Sequence, residues 1–200
     1  YNSAVNAKNM LMEDYPKAII EVIDSTLNTV EEGIFVREAA RMKADGVSFE
    51  ENVKNLERIK STGRIIFTIG NMDYLIHGGR VGKVLGGAVN MLGIKPMILM
   101  KDGEIFSSGV ARSRKKSIDK LLVQIKEHFV KNNLDANKYE IVVGYGYDYE
   151  EAVAFRDRVL ESVKEYSDIK SIDIYQIGAT VGVHTGPYPL GVGLLQKYDA

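Results

Sequence analysis

The chain has 200 residues, 45% of them hydrophobic, and its 26 Lys plus Arg balance 27 Asp plus Glu to a formal net charge of -1. That length can bury a sizeable core in one or two domains, and the charge balance gives no global pull toward nucleic acid or an anionic membrane, so a partner must be recognised at a local site. Cysteine is absent, which excludes disulfides, thiolate metal sites and a Cys nucleophile. No apolar run approaches the roughly 20 residues of a membrane span, and no signal-peptide pattern is visible, so a cytoplasmic chain without stable membrane insertion is expected.

The chain opens on Tyr1-Asn2-Ser3-Ala4, with no Met and no strand ahead of its first helix, and so reads as a fragment. Val5, Met10, Leu11 and Met12 predict a short helix that stops before Asp14-Tyr15-Pro16, since proline cannot continue it. Ala18 to Ile23 is an apolar run of strand length, ended by Asp24-Ser25. Val30, Ile34, Phe35, Ala39 and Met42 recur at helical spacing until Gly46. Ser48 followed three residues on by Glu51 is a capping box for the next helix, which runs to about Lys60.

Arg64 to Ile69 predicts a buried strand, and helical stretches follow around Met72 to Ile76 and Lys83 to Leu92. Ile94 to Met100 and Glu104 to Ala111 flank Asp102-Gly103, a strong hairpin signal. Ser113 to Asn132 is amphipathic, with Ile118, Leu121, Leu122, Ile125 and Phe129 on one helical face. A strand at Tyr139 to Gly144, a helix at Glu150 to Tyr166 and a strand at Ile172 to Ile177 come next, ahead of a glycine-rich tail from Gly178 to Gly193. Alternating strands and helices predict an α/β fold, and the Asp-Gly hairpin predicts antiparallel pairing in part of its sheet.

The common enzyme signatures fail. A Walker-type loop ending at Gly82-Lys83 would need glycine where His77 stands, and Val84 replaces the magnesium-binding hydroxyl. Gly144-Tyr145-Gly146 has Tyr149 in place of the third glycine of a dinucleotide loop. His77, His128 and His184 show no metal-ligand spacing. No catalytic residue, metal or cofactor is assigned. The basic run Arg112-Ser113-Arg114-Lys115-Lys116 could be a nucleic-acid patch or a solvated helix start, and without interleaved aromatics no nucleic-acid partner is expected.

Two segments stand out. In His77-Gly78-Gly79-Arg80-Val81-Gly82 the glycines permit close approach or positive φ beside an arginine, an arrangement suited to a carboxylate or phosphate, or else a plain turn with a solvent-facing Arg80. In Val183-His184-Thr185-Gly186-Pro187 the histidine is expected at a strand end, offering a switchable donor beside a hydroxyl, or else a turn histidine bonded to its own loop.

Taken together, Ile20-Glu21-Val22-Ile23-Asp24-Ser25, Gly78-Gly79-Arg80-Val81-Gly82-Lys83, Ile94-Lys95-Pro96, Arg112-Ser113-Arg114-Lys115-Lys116 and His184-Thr185-Gly186-Pro187 resemble the C-terminal two-thirds of the DegV family in collinear order. The resemblance implies two α/β domains that clamp one long-chain fatty acid, its carboxylate at their interface and its tail in an apolar tunnel. It places residues 1–45 as the remnant of an N-terminal Rossmann-like parallel-sheet domain and 46–200 as a mixed α/β tunnel domain with a partly antiparallel sheet, its last strands free to return to the interface. It makes Arg80, His184, Thr185, Gly79 and Gly186 the fatty-acid-binding set, and Arg112, Arg114 and Lys115 contacts for a fatty acid kinase that receives the lipid. Family hydroxyl ligands for the carboxylate would precede Tyr1, so this stretch alone would hold half a site and bind weakly. The implied protein carries a lipid and is not an enzyme. The alternative is an enzyme that anchors a small phosphorylated or carboxylated metabolite on Arg80 and uses His184 as acid-base.

Overall fold

The computed structural model describes residues 1–80, 82 and 93–200. The expected helix at Lys83 to Leu92 lies outside them. The helices are α1 (Asn2–Asp14), α2 (Thr29–Ala44), α3 (Phe49–Ile59), α4 (Asp73–His77), α5 (Arg114–Lys131), α6 (Tyr149–Val163) and α7 (Ala179–Thr185). The strands are β1 (Arg64–Thr68), β2 (Lys95–Lys101), β3 (Glu104–Ala111), β4 (Tyr139–Tyr145), β5 (Asp173–Gln176) and β6 (Leu190–Gln196). They form one sheet in the order β3-β2-β1-β6-β4-β5, antiparallel throughout except for the parallel β4–β5 pair. The expected mixed α/β fold is the one observed.

Period-2 alternation sends each strand's side chains to two faces. On one face Ile66, Ile141, Val143, Val192 and Leu194 pack with Leu121, Ile125 and Phe129 of α5 and Phe155 and Val159 of α6. The other face carries two smaller clusters. Val142 and Leu195 meet Val30, Ile34, Phe35 and Met42 of α2 and Leu56 and Ile59 of α3, so these two helices share one core on either side of the expected division at residue 45. Ile98, Phe67 and Ile105 meet Met72 and Leu75 around α4.

Local signals place the elements. Ser48 Oγ accepts the Glu51 N–H at 3.2 Å to cap α3, and Ser113 Oγ accepts the Lys116 N–H at 3.2 Å to cap α5. Asp102 and Gly103 both take positive φ, 52° and 76°, the geometry that matches a two-residue hairpin to strand twist.

One expectation is corrected. Ala18 to Ile23 forms no strand: it has no ladder partner among the described residues, and Ile19 is 74% exposed. A strand needs a neighbour to satisfy its backbone, and apolar composition cannot supply one. Ahead of α2 the chain holds α1, which buries none of its residues.

The glycine-rich tail contains α7 and the central strand β6. A side chain at Gly191 would meet the Ile66 carbonyl oxygen and Phe67 Cβ at 2.4 Å, and one at Gly193 would meet Val30 at 3.1 Å. Gly191 and Gly193, two residues apart on one face of β6, therefore mark close packing of that strand.

A cavity between the smaller clusters

α2, α4 and α7 leave a gap between them on one face of the sheet. A cavity of about 310 Å³ occupies the gap. Ile65, Phe67 and Met100 line it from the sheet, with Gly144 and Gly191 where β4 and β6 lie opposite each other. Val30, Leu75, Ile177, Val181 and Pro189 add apolar walls. The polar side chains around it are Asn28, Thr29, Glu104, Arg80, His184 and Thr185.

Arg80 and His184, distant in sequence, line this one cavity. Arg80 is put there by the end of α4. The Arg80 N–H bonds the Leu75 carbonyl at 2.9 Å and the Gly79 N–H bonds the Ile76 carbonyl at 3.0 Å. With Gly79 at φ 68°, this is a Schellman C-cap, which turns the chain sharply and satisfies the last carbonyls of the helix. Gly79 thus positions Arg80 and is not itself in the lining. The guanidinium bonds the Gly78 carbonyl at 2.7 Å and stays exposed, a cation held at the cavity side.

His184 sits in the last turn of α7, not at a strand end as expected, because Gly178 to Thr185 coils into a helix. Its ring presses on Gly78, where an added Cβ would lie 2.3 Å from Nδ1. That Nδ1 is buried and meets no hydrogen-bond partner among the described residues, an arrangement that costs free energy unless something completes it.

Thr185 is buried and donates its hydroxyl proton to the Val181 carbonyl at 3.2 Å, which leaves it an acceptor rather than a donor toward the cavity. Gly186, at φ 73°, packs under the Tyr74 ring, which an added Cβ would approach to 2.4 Å. The basic run lies elsewhere, at the start of α5. Arg114 is held to Glu151 of α6 by two bonds of 2.8 and 2.5 Å, while Arg112 and Lys115 are exposed.

Sequence reasoning missed the stretch that leads into α2. Thr26 and Thr29 both take positive φ, 57° and 49°, a costly geometry for β-branched residues. Ser25 holds that turn, donating to Glu32 at 2.6 Å and accepting the Leu27 N–H at 3.2 Å. Beside it Glu31 is 1% exposed, and burial pushes its carboxyl up to about 8, with Arg64 lowering it in part and Glu32 raising it. Glu31-Glu32 reads in sequence as an ordinary acidic first turn, so nothing there signalled a buried carboxyl.

A largely apolar cavity with a guanidinium and an imidazole at its edge is suited to an amphiphilic anion. The comparisons with known proteins agree on the family. The family model described as "Uncharacterised protein, DegV family" matches residues 1–197. A DegV domain-containing protein of Clostridium perfringens is 32% identical over 196 residues, covering 98% of this chain and 65% of its own length. The chain thus spans about two thirds of the length of the curated relatives it matches. A stearic acid-binding protein from Eubacterium ventriosum has a TM-score of 0.87 at 42% identity, covering all of this chain (100%) and 67% of its own. A Thermotoga maritima protein whose structure is said to reveal fatty acid binding function has a TM-score of 0.73 at 26% identity, covering 98% of this chain and 64% of its own. Matched almost from end to end, the chain belongs to the DegV family.

Proposed function

We propose that the protein binds one long-chain fatty acid, with its carboxylate toward Arg80 and His184 and its tail against the apolar cavity walls, and that it carries the lipid rather than transforming it. The observation that supports this most is the convergence of Arg80 and His184 on one predominantly apolar cavity. Burying an alkyl tail is worth about 0.8 kcal/mol per methylene, so a tail of roughly 14 methylenes offers on the order of 11 kcal/mol before ordering costs. The carboxylate opposes burial unless it is paired and hydrogen-bonded, which the Arg80 guanidinium and the His184 ring at the cavity edge can provide. A small polar metabolite would leave these apolar walls without a match.

The proposal extends to a two-lobed clamp that works in the cytoplasm and passes its lipid to a fatty acid kinase. Exposed Arg112 and Lys115 are its candidate contacts, whereas the ion pair of Arg114 with Glu151 ties α5 to α6.

Palmitate at about 100 times its dissociation constant is expected to stabilise the protein by roughly 2.7 kcal/mol, seen as a rise of several degrees in Tm. Inorganic phosphate and acetate should leave Tm unchanged. A protein stabilised by those small anions and not by palmitate would favour the metabolite enzyme.

A further inference from the structure

The second turn of α2 contains Gly33, and nothing in its surroundings demands a glycine. Its backbone is helical, and an added Cβ would meet nothing within 4 Å. Glycine is the poorest helix former after proline, so a position with room for alanine gains nothing locally from lacking a side chain. What Gly33 does border is a groove of about 330 Å³, formed with Ile34, Tyr175 and Ile177.

This groove adjoins the cavity. Thr29, Val30 and Ile177 line both. The cavity alone, at about 310 Å³, is at the lower end of the roughly 300–1,000 Å³ of small-molecule sites, while the adjoining groove about doubles the space. The groove also has an apolar-to-charged gradient. Beyond Gly33 and Ile34 it reaches Arg37, whose guanidinium is bonded to Asp173 at 2.8 Å and to Glu140 at 2.5 Å. A hydrocarbon can lie along the first part and gains nothing by reaching the second.

We propose that the far end of the acyl chain passes between Val30 and Ile177 into this groove, and that the missing side chain at Gly33 sets how long a chain is accepted. This rests on the fatty-acid reading of the cavity. The acyl chain would run from the Arg80 and His184 edge past the start of α2 and stop short of the Arg37 ion pairs. Gly33 would then be a specificity-determining position at the ω end of the lipid, remote from the carboxylate.

The test compares stearate with laurate on wild type, Gly33→Leu and Gly33→Ala, using direct binding titrations. Each buried methylene is worth roughly a fourfold change in affinity, so a leucine that displaces two or three of them should weaken stearate roughly tenfold to a hundredfold. Laurate, too short to reach the groove, should bind Gly33→Leu as it binds wild type. Gly33→Ala should raise Tm and keep stearate affinity within about threefold, because a methyl group fills little of the groove. Equal stearate-to-laurate ratios in wild type and Gly33→Leu would overturn the groove assignment while leaving the fatty-acid site standing. Failure of wild type to bind either acid would overturn both.

Discussion

Glu31→Gln is expected to flatten the pH dependence of unfolding that wild type shows between about pH 5 and pH 9. The Glu31 side chain lies where Gly63 leaves room, since a Cβ at Gly63 would come within 2.4 Å of its Oε1. That oxygen meets no hydrogen-bond partner among the described residues. Burial therefore raises the carboxyl from 4.5 to about 8; Arg64 offsets part of the rise and Glu32 adds to it.

The folded protein thus holds a proton that the unfolded chain releases near its ordinary value. The stability this proton confers is fully present below about pH 4.5 and is lost as pH rises through about 8. At about 1.4 kcal/mol per unit, the loss is on the order of 5 kcal/mol, a large share of the 5–15 kcal/mol typical of a domain. Urea unfolding at acid and alkaline pH measures it. Glutamine, which does not titrate, should remove most of the slope, and a wild-type stability equally flat would show that Glu31 ionises freely.

Arg80→Ala is expected to weaken fatty-acid binding by roughly tenfold to more than a hundredfold, the cost of a lost charge-assisted hydrogen bond of about 1.5–3 kcal/mol. The fold should tolerate the change, because the side chain is exposed and its cap rests on backbone groups and on Gly79. Arg80→Lys should restore only part of the affinity, since an ammonium keeps the charge but not the paired, planar donors. Binding of the wild type should weaken with added salt more than that of the alanine variant. Titration with palmitate decides the matter: unchanged affinity would return Arg80 to a turn residue that caps α4 and nothing more.

Local chemistry was the legible part of the sequence. The Asp102-Gly103 turn, the Ser48 and Ser113 caps and the apolar spacing of α2 all act through residues a few positions apart, and each element formed where it was expected. Ala18 to Ile23 failed because a strand is a property of two segments, and its composition says nothing about a partner. β6 was hidden for the opposite reason: Gly191 and Gly193 lower strand propensity because Phe67 and Val30 lie too close for side chains.

The candidate site was legible in its charged and polar members only. Arg80 and His184 were singled out as unusual, and the chain brings both to one cavity, yet His184 arrived on a helix and Gly79 acts through a cap. The apolar lining could not be read, because Val30, Phe67 and Ile177 belong equally well to a core. Nor could the positive φ of Thr29, which runs against the preference of a β-branched residue.

Native mass spectrometry of the protein as the cell makes it, purified without detergent, tests lipid carriage most directly. A long-chain fatty acid bound at one per chain, and at lower occupancy after Arg80→Ala, is the predicted spectrum. A bare wild-type chain that also fails to take up added palmitate would contradict it.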